Sequence, residues 1–278
     1  MDLPLLPDDL APGDRAVAAR DFSDVRVRRV TDADDPDFDV AYERLWREFG
    51  AGGAMERRAV IRERLAWDPA RPLAGAALAY ELLVVRRGSA IAALRDHTAV
   101  VRLDARGRAL PGAVVVHLSH AFVAPAHRGS GLAAGLRALP LPAARRCAAA
   151  RAATAAPIVL VAEMELRDPG RTPPVSLRSY ERAGFQLVDP IAAPYAQPDF
   201  RAPELLAGEP PRSLPFGLVV RRVGREREMP ADELAAVVES IYAVYAVHVP
   251  AAALDPLRDA ARAWTRRSAS FRLLPPTT

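Results

Sequence analysis

The feature that most constrains this sequence is a strongly apolar strand that runs directly into a glycine-rich loop. The predicted strand is Val114–Val123 (VVVHLSHAFV), and the segment Arg128–Ala133 (RGSGLA) follows it and opens a helix. Small residues let a backbone approach a ligand closely, and amide groups at the start of a helix attract an anion such as pyrophosphate. The loop lacks the Gly-Lys-Ser/Thr of a Walker loop and the first glycine of a dinucleotide fingerprint. A glycine turn that only caps the helix is the alternative interpretation.

Composition places the chain among soluble globular proteins. Of its 278 residues, 50% are hydrophobic and 26% are charged, which excludes disordered and collagen-like chains. The single cysteine, Cys147, excludes an internal disulfide and a multi-cysteine zinc site. No apolar run reaches the roughly 18 residues of a membrane helix, and the acidic, proline-broken N-terminus is unlike a signal peptide. We therefore expect a cytoplasmic protein without a membrane partner and without a metal.

The charge pattern gives little support for nucleic-acid binding. All 38 basic side chains are arginine, none is lysine, and the net charge is only +4. The arginines are scattered among acidic residues, and no aromatic platform or basic stripe accompanies them. A small anionic ligand fits this distribution equally well.

Hydrophobic periodicity predicts an α/β (or α+β) chain in which helical and strand-like segments are mixed. Proline and glycine punctuate the segments, and residues 189–215 are proline-rich and read as a long irregular loop. Pro140 and Pro142 are expected to break the helix that follows the glycine loop. The predicted helices are 38–49, 55–67, 132–153 in two pieces, 176–183, 232–249 and 251–264, and the predicted strands are 25–30, 81–87, 90–103, 114–123, 157–165, 185–188 and 218–223.

Two motifs together resemble the GNAT superfamily of acyl-CoA-dependent N-acetyltransferases. Arg-x-x-Gly-x-Ala at Arg128–Ala133 follows a strand that ends in Val-x-Pro, as in the acyl-CoA loop of that family. Downstream, Arg178–Pro190 (RSYERAGFQLVDP) is similar to the family's Tyr-Glu-x-x-Gly-Phe segment. The resemblance covers about residues 25–225 and implies a GNAT fold, with a mixed, mostly antiparallel central sheet and helices on both faces. Residues 1–24 are then expected to be a poorly ordered arm, and residues 226–278 a C-terminal helical extension that covers the sheet or makes a homodimer contact.

The resemblance implies how acetyl-CoA (coenzyme A) would be held. Backbone amides of the glycine loop would bind the pyrophosphate, and Arg128 would add charge. The end of the preceding strand would pair with the pantetheine arm, and the Val123 amide would face the thioester oxygen as an oxyanion hole. The residues concerned are Phe122, Val123, Arg128, Gly129, Ser130, Gly131, Leu132 and Ala133.

Three residues are the catalytic candidates: Tyr180, His117 and Glu163. The resemblance places Tyr180 at the general-acid position, where its phenol would protonate the departing thiolate. His117 lies where many family members carry the base that takes the amine proton, with His120 as the second candidate. Strand alternation puts His117 and Ser119 on one face and His120 on the other, unless a bulge intervenes.

The acceptor side is marked by carboxylates and by the long loop. Glu163 and Glu165 share one face of a strand, where they would bind a cationic amine or relay its proton. A rigid, polar loop segment between prolines suits substrate recognition. The residues assigned to the substrate are Ser119, His120, Glu165, Tyr195, Gln197, Asp199 and Arg201.

These features predict acetyl (acyl) transfer from acetyl-CoA to a primary amine, on a small molecule or a peptide, by direct attack in a ternary complex. The alternatives are a CoA-binding regulatory or scaffold protein without activity, and a nucleic-acid-binding protein. One departure weakens the resemblance: where the family often has an asparagine that contacts CoA, this chain has Pro173.

Overall fold

The computed structural model describes residues 9–50, 55–165, 175–200, 213–223, 225 and 228–277. Ten strands are described: β1 (Val25–Val30), β2 (Ala76–Arg87), β3 (Ala90–Arg102), β4 (Val114–Val123), β5 (Ile158–Glu165), β6 (Gln186–Val188), β7 (Tyr195–Gln197), β8 (Leu214–Arg222), β9 (Glu228–Pro230) and β10 (Ser270–Leu274). The α-helices of the same residues are α1 (Pro36–Phe49), α2 (Arg58–Arg64), α3 (Leu132–Ala138), α4 (Pro140–Ala149), α5 (Val175–Arg182), α6 (Ala231–Tyr245) and α7 (Ala251–Thr265).

The strands form one continuous sheet in the order β1-β2-β3-β4-β5-β8-β6-β10-β9, with β7 also on β8. Within the described residues, every pairing is antiparallel except that of β4 with β5, which is parallel. Buried side chains alternate between the two faces of the sheet. One face packs against α1, α2, α6 and α7, and the other packs against α3, α4 and α5. The predicted fold class is confirmed, and the architecture is consistent with a GNAT fold.

The parallel pair β4 and β5 separates halfway along its length. The two strands pair from Val114 with Ile158 to His117 with Val161, and the pairing then stops. Both strands continue for several residues, and β5 is held on its other edge by β8 up to Glu165. The two diverging strand ends therefore leave an opening in the middle of the sheet.

A β-bulge in β4 lies at this point of separation. Asp96 of β3 is opposite His120 and Thr98 is opposite His117, so one residue of β3 faces the two residues Leu118 and Ser119. An extra residue reverses the alternation of side chains beyond it. The bulge is the exception that the sequence analysis allowed, so His117 and His120 lie on the same face and not on opposite faces: His117 packs on Tyr245 of α6, and His120 packs on Phe49 of α1.

The described part of the segment before β1, residues 9–24, packs against α3 and α4. The sequence analysis expects a poorly ordered arm there. Residues Pro12–Ala19 form a 3-10 helix. Asp14 is buried and accepts hydrogen bonds from Arg137 of α3 at 2.7 and 3.1 Å, and Asp9 pairs with Arg145 of α4. Aspartates that are far apart in sequence from their arginine partners thus fix this segment in place.

We expect Asp14→Ala to lower the free energy of unfolding by about 3 kcal/mol, because it leaves the buried Arg137 guanidinium without its carboxylate. Urea unfolding measures the loss, and limited proteolysis should cut the released segment faster. Asp24→Ala is the control, because the pair of Asp24 with Arg87 is exposed. Equal effects of the two substitutions would contradict a structural role for the Asp14 ion pair.

The C-terminal part contributes strands as well as the predicted helices. Strand β10 pairs with β6 and β9, and α6 packs across β2, β3 and β4. The proposed domain boundaries stay a prediction.

Pro140 begins α4, a position that tolerates its missing amide hydrogen, so the predicted helix break lies at Leu139. None of the helices described here is long and apolar enough to cross a membrane.

Candidate functional site

A cavity of about 450 Å³ occupies the opening between β4 and β5. The side chains of α1, α5, α6 and β8 close its sides. Its lining residues are Glu48, Phe49, Glu56, His117, Leu118, Ser119, His120, Ala121, Ala162, Glu163, Met164, Glu165, Leu177, Tyr180, Gln197, Phe216 and Tyr245. The divergence of two neighbouring strands therefore brings together residues that the sequence analysis assigned to catalysis and to substrate binding.

Glu163 is the centre of the polar network in this cavity. Its carboxylate accepts hydrogen bonds from Tyr195 at 2.6 Å, from the Gln197 amide at 3.3 Å and from Tyr245, and it contacts His117 Nε2 at 2.8 Å. Its side chain is only 5% exposed. Burial alone would raise the pKa of Glu163, but the hydrogen bond and charge of His117 and the two tyrosine hydrogen bonds lower it. Glu163 is therefore held as a buried carboxylate.

This carboxylate determines the orientation of His117. An ionised carboxylate only accepts hydrogen bonds, so Nε2 of His117 is the nitrogen that carries the proton. The other ring nitrogen, Nδ1, has no hydrogen-bond partner. The ring lies edge-on against Tyr245, with the ring centres 5.6 Å apart. The ring of His117 is thus oriented with Nε2 toward Glu163 and with Nδ1 left without a hydrogen-bond partner.

A second histidine–carboxylate pair lies beyond the bulge. Asp96 is fully buried and accepts hydrogen bonds from the His120 amide at 2.7 Å, from His120 Nδ1 at 3.0 Å and from Tyr80 at 3.0 Å. Burial would raise the pKa of Asp96, but the charge and hydrogen bonds of His120 and the hydrogen bond of Tyr80 lower it to about 2. This pair fixes the His120 ring at the cavity wall.

Tyr180 reaches the cavity from α5, which packs on the opposite face of the sheet from α6. Its hydroxyl accepts a hydrogen bond from Nη1 of Arg95 at 3.5 Å, and its ring packs edge-on against Phe185. A guanidinium can only donate, so the Tyr180 proton is directed away from Arg95. Arg95 is buried, and its Nε and Nη2 have no hydrogen-bond partner. The phenol is therefore able to donate a hydrogen bond into the cavity.

The glycine loop follows the end of β4. Gly129 and Gly131 have φ values of +76° and +94°, in the left-handed region that favours glycine. Ser130 donates a hydrogen bond to the His127 carbonyl at 2.6 Å, and Arg128 Nε donates to the Val123 carbonyl at 3.3 Å. Arg20, from the N-terminal segment, donates to the Gly129 carbonyl at 2.8 Å. Two guanidinium groups therefore flank the loop.

The backbone of β4 beside the opening presents the amide of Val123 to the separated edge. The next amide along the strand, that of Ala124, donates to the Ala92 carbonyl of β3, and the His120 amide, three residues before Val123, also points toward β3. Backbone groups alternate between the two edges of a strand, so the Val123 amide faces the opposite edge. Phe122 itself is buried, beneath the Arg44 guanidinium.

Some predicted substrate residues lie elsewhere or play another part. Tyr195 and Gln197 belong to the short strand β7 rather than to an irregular loop, and both are buried hydrogen-bond donors to Glu163. Asp199 is half-buried and is not among the residues that line the cavity. Arg201 lies outside the described residues. Glu165 and Ser119 do line the cavity, as does His120.

Several contributors to the site do not stand out in the sequence. Tyr245 lies within the predicted helix 232–249, and the need of a buried tyrosine hydroxyl for a partner is a usable signal. Arg95 and Asp96 stand inside an apolar strand, which also marks them as groups that need compensation. Glu48 and Glu56 carried no signal, because their approach to the cavity depends on tertiary packing.

In the part of the chain that the structure describes, no group of three or more histidine, cysteine, aspartate or glutamate side chains could hold a metal ion.

No family model matches the sequence, and no curated protein matches it. Among solved structures, the chain is similar to a tandem GNAT protein from the clavulanic acid biosynthesis pathway, determined without acetyl-CoA, at 18% identity and a TM-score of 0.38. That similarity covers 87% of this chain and 65% of the other, so this chain spans about two thirds of the length of the protein it matches.

Proposed function

We propose that this protein is an acyl-CoA-dependent N-acyltransferase that moves an acetyl or other acyl group to a primary amine. The observation that carries the proposal is the meeting of two chemistries in one cavity. The His117–Glu163 pair lies on one side, Tyr180 lies on the other, and the strands diverge between them. A proton acceptor and a proton donor on opposite sides of a cleft suit the attack of an amine and the departure of a thiolate.

The glycine loop supports coenzyme A as the carrier of the acyl group. Its left-handed glycines bring the backbone close to a ligand, and the guanidinium groups of Arg128 and Arg20 add positive charge beside it. The loop directly follows the strand whose Val123 amide faces the opening. A pyrophosphate at the loop and a thioester near Val123 would therefore belong to one extended ligand.

The chain's own residues would then act as follows. Nδ1 of His117 takes the proton of the amine, while Glu163 holds the ring and stabilises its positive charge. The Val123 amide donates a hydrogen bond to the acyl oxygen as negative charge develops there. Tyr180 donates its proton to the departing sulfur, and the apolar wall of Leu118, Leu177 and Phe216 limits access of water. Bound acyl-CoA supplies the activated thioester.

The inactive CoA-binding alternative would be favoured if Tyr180 and His117 pointed away from the cavity. Both line it. The orientation of these two side chains therefore favours the enzyme over the regulatory protein.

Calorimetric titration with acetyl-CoA tests the proposal on the wild-type chain and on two variants at Ser130. We expect Ser130→Glu to weaken binding at least tenfold, because it places a carboxylate at the predicted pyrophosphate site, where like charges repel. Ser130→Gln is the matched control, since it has the same size without the charge, and it should weaken binding less. Ser130 does not have the positive φ of its glycine neighbours, so neither variant strains the backbone.

Absence of acetyl-CoA binding by the wild-type protein would overturn the proposal. Equal affinities of the Glu and Gln variants would place the pyrophosphate away from this loop. Release of free thiol from acetyl-CoA in the presence of an amine then completes the test, because binding without turnover would return the inactive CoA-binding protein as the better explanation.

A further inference from the structure

We propose that the acceptor is an aliphatic diamine or polyamine, with one ammonium group at the rim of the cavity and the reacting amine inside it. This inference rests on the proposed acyl transfer, since it names the substrate class of the same site. Three features of the cavity support it: its charge, its unsatisfied hydrogen-bond acceptors and its apolar wall.

The cavity is acidic in a chain that is otherwise rich in arginine. Glu48, Glu56, Glu163 and Glu165 line it, whereas none of its described lining residues is an arginine, although the chain has 38. Two of the four carboxylates have partners within the protein, because Glu56 pairs with the buried Arg64 and Glu163 is hydrogen-bonded to His117 and two tyrosines. The other two carboxylates are those of Glu48 and Glu165.

Glu48 and Glu165 form that rim, and both are exposed. Glu48 is near the end of α1, and Glu165 ends β5. Across the described residues, neither carboxylate has an ion-pair partner, whereas Glu81, Asp14 and Asp96 each have a cationic neighbour. Two unpaired carboxylates at the mouth of one cavity favour the entry of a cation.

Two buried acceptor atoms of residues that line the cavity lack a hydrogen-bond donor. Oε1 of Gln197 has no partner, and the residue is only 5% exposed. Its amide nitrogen donates to Glu163 and contacts the Tyr245 hydroxyl, so a flipped amide would place oxygen against a carboxylate. Nδ1 of His117 is the second such atom. Buried polar atoms are normally satisfied, and an amine nitrogen supplies the missing donors.

The wall between the rim and these acceptors is mostly hydrocarbon. Phe49, Leu118, Met164, Leu177 and Phe216 provide it. An alkyl spacer between two amino groups matches such a wall, whereas the hydroxyl groups of an amino sugar would be left without partners. An amine that also carries a carboxylate would meet the rim glutamates and be repelled. The cavity therefore selects for positive charge at both ends of a short hydrocarbon chain.

Three amines of similar length test this inference: putrescine with two ammonium groups, butylamine with one, and 4-aminobutanoate with one ammonium and one carboxylate. Calorimetric binding to the wild-type protein in the presence of coenzyme A gives a readout that does not depend on turnover. We expect putrescine to bind roughly tenfold more tightly than butylamine, and 4-aminobutanoate to bind more weakly than either. Raising the salt concentration should reduce the preference, because the rim carboxylates are exposed.

Variants of the rim identify the carboxylates responsible. Glu48→Gln and Glu165→Gln should each weaken putrescine binding roughly two- to fivefold, and the double variant should remove most of its preference over butylamine. Affinity for butylamine should change little. Glu43→Gln is the matched control, because Glu43 lies on α1 with Glu48 but pairs with Arg58 and does not line the cavity.

The outcomes separate this inference from the proposed function. Equal binding of putrescine and butylamine, or no binding of putrescine, would overturn the diamine inference even if thiol release occurs with another amine. Preferential putrescine binding without thiol release would support the inference about the cavity and contradict acyl transfer. A preference that survives the double variant would also overturn the role assigned to the rim.

Discussion

Tyr180→Phe is expected to lower kcat for acetyl transfer about 100-fold or more, with little change in the KM of either substrate. The substitution removes one oxygen that lines the cavity and leaves the ring packed on Phe185. Loss of a general acid typically costs a factor of about 10² to 10⁴. Because the Arg95 guanidinium donates to the Tyr180 oxygen, the phenol proton is free for the leaving sulfur of the proposed reaction. Steady-state kinetics by thiol release measures the change.

Tyr42→Phe is the control for this experiment. Tyr42 is a buried tyrosine of α1 whose hydroxyl contacts the Glu56 carbonyl at 3.4 Å, and it does not line the cavity. Its removal should leave kcat within about twofold of the wild type. If Tyr180→Phe retained full kcat, another group would have to protonate the sulfur. If it raised only KM, Tyr180 would be a binding residue.

Asp96→Ala is expected to lower the free energy of unfolding by about 3–5 kcal/mol. The change strips the buried His120 ring, the His120 amide and the Tyr80 hydroxyl of a shared acceptor, and buried groups without partners are costly. Asp96→Asn keeps the shape and one acceptor oxygen, so it should cost less, about 1–3 kcal/mol. Urea unfolding at neutral pH measures both. Asp259→Ala, at an exposed position of α7, should change stability by less than about 0.5 kcal/mol.

The effect of Asp96 should also depend on pH. Its pKa is about 2 in the folded protein and near 3.8 when unfolded, so its stabilisation is complete above about pH 4 and is lost as the pH falls through about 2. The shift corresponds to about 2 kcal/mol. The stability difference between wild type and Asp96→Asn should therefore shrink between pH 4 and pH 2. A difference that is constant over this range would mean that Asp96 is not held as a carboxylate.

Much of the architecture could be predicted from local patterns. The apolar strand β4, the glycine turn after it and the proline-started helix α4 follow from residue types within a short window. The short strands β7, β9 and β10 could not be predicted, because each has only three to five residues and owes its pairing to distant strands. The strands β2 and β8 also begin earlier than predicted, at Ala76 and Leu214.

The candidate site was predictable where residues lie on one strand and unpredictable where the strands and helices meet. The sequence marks His117 and Glu163 as two separate catalytic candidates. The parallel pairing of β4 with β5 brings His117 Nε2 to 2.8 Å from the Glu163 carboxylate. The contributions of Tyr245 and Glu48 come from helices far away in sequence, whose docking no local pattern reveals. The packing of the N-terminal segment is unpredictable for a similar reason, because Asp14 and its partner Arg137 are 123 positions apart in the sequence.

The bulge in β4 shifts the alternation of side chains between the two faces of the sheet by one residue. Upstream of Leu118 and Ser119 the odd-numbered residues face the layer of α1 and α6, and downstream of them the even-numbered residues face that layer. A strand with the same residues but with regular pairing would keep its apolar composition and its sheet, yet it would turn His120 away from the cavity and rotate the Val123 amide from the open edge to the paired one. The extra residue that β4 places opposite a single residue of β3 is therefore as much a part of the site as any side chain in it.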